Sequence, residues 1–408
     1  VRVALFLPHL AVTGGLGVHC RSLLDAVLRT ATPADHLTVI APADPKKLFP
    51  YSGLDDTWQP LAADARVQFV PLDWPADFSL AQPLDRVLLE PMKAATPDVV
   101  YASYYTGLAD PPCPQAVTFH DAGFLDFPDV FGNTAKQRRE TLALIGPKID
   151  SLMCISDDAR SRICRLLPFD EARTDVVWHG LADSPAEITA ARGHDHLPDA
   201  LWPDGDKLTD WGPYLFSPVG AATGFNRVRK NLPTAVAAFR QLIASDAPPV
   251  RLVIASTGIL HDKMLGELLP AAELAGGQVV NDAWRSADDR IRILPNLDRG
   301  PFLRAMAHSR AVVYPSRYEG FGLPTIEAMA LGVPIIASRA TSIPEVAGDA
   351  GYLVNPDSAD EFAAAMHAML TQPDRREELI RKGEARVALF TLDRMGEAMW
   401  KVWRRLAK

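Results

Sequence analysis

Cysteine is scarce. Four residues, Cys20, Cys113, Cys154 and Cys164, are spread over 408 positions, with no paired metal spacing and no framework of the secreted kind. That excludes a disulfide scaffold and predicts buried free thiols in a reducing cytoplasm. Long hydrophobic runs are also missing: no stretch has the apolar length of a membrane span. The opening VRVALFLPHL is too short and too strand-like for a signal peptide. Positive charge is in deficit as well, since 42 Lys and Arg against 50 Asp and Glu give a net charge of −8. A nucleic-acid partner would need a basic face, and an anionic membrane would exert little pull on such a chain. The densest basic stretch, KQRRE from Lys136 to Glu140, reads as one solvated face of a helix. Composition leaves weak peripheral membrane association and the oligomeric state open.

What is present is ordinary soluble material, 48% apolar and 23% charged, in a chain long enough for two domains. Strand-like and helix-like segments alternate throughout, which predicts α/β folding with parallel sheets. RVALFLP, HLTVIAP, ARVQFVP, DVVYASY, QAVTFHD and SLMCIS read as strands of a first half. YLFSPVG, VRLVIAS, IRILPN, AVVYPS, VPIIAS and GYLVNP repeat the style in a second. The reading assigns 1–182 to the first domain, 183–212 to a linker with an insertion, and 213–390 to the second domain. The closing LDRMGEAMWKVWRRLAK is an amphipathic helix, with Met395, Met399, Val402 and Leu406 facing a domain.

Chemistry concentrates at four places. In SRYEGFGLPTIEAMALGVPIIAS, a strand, a turn and a helix starting at Pro324 carry Glu319 and Glu327 on either side of Gly320 and Gly322. No Ser, Thr, Asp or Asn in GFGLP caps the helix, so its first N–H groups and its dipole suit an external anion. The glycines admit close approach of a ligand to the backbone, and carboxylates accept from sugar hydroxyls. Phosphate flanked by hydroxyl-rich groups describes a nucleotide-activated sugar. In GFNRVRKNLPTAV, Arg227, Arg229 and Lys230 gather beside a helix that Asn231 would cap, a suitable clamp for a diphosphate. In AVTGGLGVHC, Gly14, Gly15 and Gly17 form a strand-to-helix turn; Cys20 stands where a dinucleotide fingerprint needs its third glycine. In TFHDAGFLDFPDVF, His120 ends a strand at the expected ligand edge. His179, in VVWHG, introduces the linker and reads as structural. Trp58 and Tyr51 are either ring-stacking or packing residues.

The segment from Tyr314 to Pro356, with Glu319, Glu327, Pro344, Glu345 and the GDAG of Gly348 to Gly351, resembles the family-4 retaining glycosyltransferases. RKN, FHD, FPDVF, the GG turn and CISDDARSRI fall where that family places its equivalents. The resemblance implies a GT-B fold: two Rossmann-like domains with parallel sheets facing a central cleft, acceptor site N-terminal, donor site C-terminal, and the last helix returning to the first domain. It implies that Glu319 holds donor-sugar hydroxyls and that the N–H groups of Gly320, Phe321, Gly322 and Leu323 meet sugar and diphosphate. Glu327 would bind the ribose diol, while Arg229 and Lys230 grip the phosphates. Gly15 and Leu16 would close the site, and His120 would face the sugar near the reacting carbon. The longer GAATGFNRVRKN leaves Arg227 and Arg229 as alternative phosphate-binding arginines; Arg229 is preferred for its adjacency to Lys230. The expected reaction moves a sugar from a nucleoside diphosphate sugar to an acceptor hydroxyl with retention. It needs no cofactor or metal, since no Asp-x-Asp sits suitably at a strand end near these motifs. The setting common in the family is polysaccharide biosynthesis. The alternatives are an inactive sugar-nucleotide-binding protein and a GT-B phosphorylase or epimerase.

Overall fold

The structure, a computed structural model, describes residues 1–408 except 50–53, 76, 168, 194–211, 222–224, 258–264, 267, 268, 270, 281, 282 and 296. Most of the 183–212 insertion, Tyr51 and the side chain of Arg227 lie outside the described residues. Two compact units emerge, Val1–Ala182 with Phe390–Lys408, and Asp183–Leu389.

The first unit is a parallel sheet of β1 (Arg2–Phe6), β2 (His36–Pro42), β3 (Val67–Leu72), β4 (Val99–Ala102), β5 (Gln115–Phe119), β6 (Ser151–Cys154) and β7 (Thr174–Val176). Its order is β3-β2-β1-β4-β5-β6-β7. Central strands such as VVYA and QAVTF are buried at every residue, the continuous apolar pattern of strands covered on both faces. The helix Leu392–Leu406 completes this unit. Met395, Met399, Trp400, Val402 and Trp403 are buried beside Leu23, Leu24 and Val27 of the helix Gly15–Thr30. Trp400 Nε1 donates to the Val27 carbonyl at 2.9 Å. The two helices approach so closely that a Cβ on Gly396 would lie 2.1 Å from the Ala26 carbonyl oxygen.

The second unit holds β8 (Tyr214–Ala221), β9 (Arg251–Thr257), β10 (Gln278–Val280), β11 (Ala283–Arg285), β12 (Ile291–Pro295), β13 (Val312–Tyr314), β14 (Ile335–Ser338) and β15 (Gly351–Val354). The order is β10-β11-β12-β9-β8-β13-β14-β15. Most pairs are parallel, but β10 with β11 and β11 with β12 are antiparallel. The all-parallel expectation is corrected at this edge, where three-residue strands are too short to show a period. Two further expectations change. Arg138 of KQRRE is not simply solvated: its guanidinium lies 5.1 to 5.4 Å from the ring centroids of Tyr104, Tyr105 and Phe124. Of the thiols, all free, Cys113 and Cys164 are only half-buried. Trp58 stacks on Phe69 at 4.9 Å, so it packs its loop down. Among the described residues no helix is long and apolar enough to cross a membrane.

Candidate active site

The second sheet reverses its strand order beside β8, which pairs with β9 on one side and β13 on the other. Open parallel sheets bind ligands at the carboxyl ends of strands at such a point. Beyond β8 the chain forms the short helix Phe225–Lys230, turns at Asn231 and enters the helix Leu232–Ile243. Beyond β13 it runs through residues 315–322 into the helix Leu323–Ala330. Topology therefore brings the RVRKN and EGFGLP segments together.

Glu319 is the centre of the cluster. Arg229 Nη1 donates to its Oε2 at 2.7 Å, and Lys230 Nζ to its Oε1 at 2.8 Å, where Ser316 Oγ also donates at 2.6 Å. The backbone of Glu319 is fixed too, its N–H donating to Thr341 Oγ1 and its carbonyl accepting from Ser342 Oγ, both at 2.9 Å. Burial opposes charge on this carboxyl, but Arg229 and Lys230 outweigh it and hold the pKa at about 2. Burial also lowers the pKa of Lys230, against the pull of Glu319. Glu319 follows β13 by a loop instead of ending the strand.

Glu327 is held differently. Its Oε1 accepts from Arg299 Nη2 at 2.7 Å, and the same guanidinium clasps Asp183 through Nε at 2.8 Å and through Nη2. Burial raises the pKa of Glu327; Arg299 opposes the rise and Asp183 adds to it. Lys230 also acts on Glu327, so both carboxylates share one electrostatic site. Sequence reading missed Arg299 and Asp183. Arg299 opens a helix whose start carries no motif, and Asp183 lies more than a hundred residues away in the chain.

Two details of the helix starts are corrected. Gly322 is the N-cap of Leu323–Ala330, at φ 95 with no side-chain cap, a left-handed conformation that favours glycine. Pro324 has no N–H, however, and Thr325 N–H donates to the Gly322 carbonyl at 2.8 Å, so fewer amides face outward than a bare helix end suggests. Asn231 holds the N-cap position as expected, at φ 52, but its side chain caps no backbone N–H; its Nδ2 donates to the carbonyls of Pro315 and Pro356 at 3.1 and 2.7 Å. It pins the two segments to each other.

The remaining predicted residues belong to the first unit, whose order reverses at β1 and β4. Gly14, at φ 96, leads into the helix that begins at Gly15. A Cβ on Gly15 would meet nothing within 4 Å, and Leu16 beside it is half-buried. His120 follows β5 directly, and its Nε2 lies 2.8 Å from the Ser103 carbonyl. A carbonyl only accepts, so Nε2 carries the proton and Nδ1 the lone pair. His120 and His179 both lean on a third imidazole, His19. His19 meets them edge-on at 4.5 and 4.6 Å between ring centroids, and its Nδ1 lies 3.2 Å from that of His179. Burial lowers the pKa of all three, that of His179 to about 3. His19 gave no sequence signal beyond following the glycine turn.

Two α/β units, one with a half-buried cationic pair on a buried carboxylate at its switch point, fit the class of GT-B glycosyltransferases. Whole-chain likeness to solved structures agrees with that fold. Sucrose-phosphate synthase from Thermosynechococcus elongatus superposes with a TM-score of 0.65 at 20% identity, covering 99% of this chain and 98% of that one. Anabaena HepE, solved with UDP and glucose, gives 0.66 at 14% identity over 99% and 100%. Residues 13–184 match the family model for Glycosyltransferase Family 4 and residues 218–372 that for Glycosyl transferases group 1. The chain belongs to this family. Among curated relatives, O-antigen chain mannosyltransferase B of Escherichia coli is 30% identical over 67% of this chain and 66% of its own length. MMP alpha-(1->4)-mannosyltransferase of Mycolicibacterium hassiacum is 37% identical over 28% of this chain and 25% of its own.

Proposed function

We propose that the protein transfers a hexose from a nucleoside diphosphate sugar to a hydroxyl of a glycan, a lipid-linked sugar or a small acceptor, with retention and without a metal on the diphosphate. The observation that carries this reading is the pairing of Arg229 and Lys230 on Glu319, beside Glu327. Preorganised cations are worth most where charge develops in a dry site, and departure of a nucleoside diphosphate develops that charge. With one arginine and one lysine aimed at the same place, a divalent ion has no necessary task. Glu319 would take sugar hydroxyls, Glu327 the ribose diol, and the backbone of Gly320, Phe321, Gly322 and Leu323 the sugar and diphosphate. Gly15 and Leu16 would serve the transferred sugar from the first unit, in which His120 follows β5. The attacking hydroxyl gives its proton to the departing phosphate, since among the described residues no second base is evident beside the cluster.

The UDP and glucose bound by HepE and the mannosyl transfer carried out by the Escherichia coli relative support a sugar-nucleotide donor. Bacterial-type polysaccharide assembly in the cytoplasm is the setting that fits, and four free cysteines support a reducing compartment. An inactive sugar-nucleotide sensor is the second reading, and Glu319 already engaged by two cations suits a binding site as well as a catalytic one. Steady-state transfer from a panel of nucleoside diphosphate sugars, with EDTA present, separates the two. Lys230→Ala should lower kcat by about 10²–10³. Binding of a nucleoside diphosphate with no turnover of any donor in the wild type would establish the sensor and overturn the enzyme.

A further inference from the structure

His19, His120 and His179 come from three separate parts of the first unit: the helix after the glycine turn, the end of β5 and the segment after β7. All three are at least 94% buried, with exposures of 3, 6 and 4%. One ligand nitrogen of each lies within 4.8 Å of those of the other two. Three imidazoles are an unusual filling for an interior: each buried ring nitrogen needs a partner, and a purely apolar trio would fill the space without that cost. Here the need is only partly met. His19 Nδ1 meets nothing but another imidazole, and its Nε2 has no hydrogen-bond partner.

We propose that these three side chains form a binding site for a divalent cation of the zinc class. Tetrahedral zinc holds nitrogens at about 2.0–2.1 Å, which places them about 3.3 Å from one another. His19 Nδ1 and His179 Nδ1 are already 3.2 Å apart. The third nitrogen lies within 4.8 Å of both, which leaves at most about 1.5 Å to close to that spacing. His120 is prepared as such ligands usually are, its Nε2 proton donated to the Ser103 carbonyl at 2.8 Å so that Nδ1 keeps its lone pair. Neutral imidazole suits zinc, cobalt, nickel and copper and discriminates against magnesium and calcium, which want oxygen. The site is therefore distinct in chemistry from any ion that would sit on a diphosphate. Asp121, next to His120 and electrostatically coupled to it, contributes negative charge nearby. With three protein ligands the fourth position is left for water or another small donor.

The inference rests on the first unit alone, and its test involves no sugar nucleotide, so its failure and the failure of the transferase reading are separable. Cobalt(II) titrated into the full chain should give the visible absorption of a four-coordinate ion, saturating at one equivalent and bleached by zinc. His19→Ala and His179→Ala should abolish that spectrum while His36→Ala, an exposed histidine, keeps it. Far-UV circular dichroism checks that each variant is folded. Should either variant fail to fold, X-ray absorption of the zinc-loaded wild type decides without a substitution. Three imidazole nitrogens in the inner shell support the site. An oxygen shell, no saturable spectrum, or equal uptake by folded His179→Ala and wild type would overturn it.

Discussion

At the scale of single residues, the site works by opposed pressures. Glu319 is kept ionised by Arg229 and Lys230 although burial disfavours its charge, and its pKa falls from 4.5 to about 2. A carboxyl lowered in the folded state stabilises the fold above its unfolded pKa, and that stability drains away as pH falls from about 4.5 through about 2. Glu319→Gln should therefore flatten the acid limb of a stability–pH profile measured by denaturant unfolding, while lowering stability at neutral pH by about 3 kcal/mol, as removing one partner of a buried pair does. Gly15 tests the opposite circumstance. Because a Cβ there meets no protein atom within 4 Å, Gly15→Ala should leave the melting temperature almost unchanged. If the donor sugar approaches that backbone, transfer falls at least about tenfold, about 1.4 kcal/mol of transition-state binding. Unchanged kinetics would remove Gly15 from the donor site.

At the scale of elements, the units that carry motifs were readable and those without were not. Strand, glycine turn and helix at VVYPSRYEGFGLPTIEAMA were legible because apolar run, Gly and Pro each have one local meaning. Asn231 shows the limit: Asn before a helix reads as a cap, yet its left-handed backbone and its bonds to Pro315 and Pro356 depend on chain more than eighty residues away. Arg299 and Asp183 were invisible for the same reason, since their meeting is a product of topology. The hairpin-like edge of β10 and β11 was lost because three residues carry no period. Helix contacts were read well by stripe but not by depth. Trp400 and Trp403 are as buried as the predicted Met395 and Met399, and Gly396 is the contact point itself. Gly396→Ala forces a methyl to within 2.1 Å of the Ala26 carbonyl oxygen. It should destabilise the first unit by about 1–3 kcal/mol, visible as a lower unfolding midpoint with activity per folded molecule retained.

At the scale of the molecule, the first unit is discontinuous in sequence: Phe390–Lys408 belongs with Val1–Ala182. Leu181 N–H donates to the Phe390 carbonyl at 2.8 Å, and a Cβ on Gly180 would clash with Leu392 at 2.7 Å, so the returning chain is seated closely where it re-enters. A chain ending at Leu389 should keep a protease-resistant second unit, 183–389, while residues 1–182 are digested, as mass spectrometry of limited-proteolysis fragments would show. This follows from the apolar face of Gly15–Thr30, which would lose the partners Met399, Trp400 and Trp403 that bury it.

The same discontinuity sets a clock during synthesis. Ribosomes add roughly 5–20 residues each second, and domains generally fold in the order in which they emerge. Here the amino-terminal sheet appears first, then waits for about 200 further residues before its closing helix exists, an interval on the order of 10–40 s at those rates. Throughout that interval a strip of leucine and valine is bare to the cell. The unit begun earlier is closed later, and nascent chains of this protein should be clients of holding chaperones until the helix Leu392–Leu406 arrives.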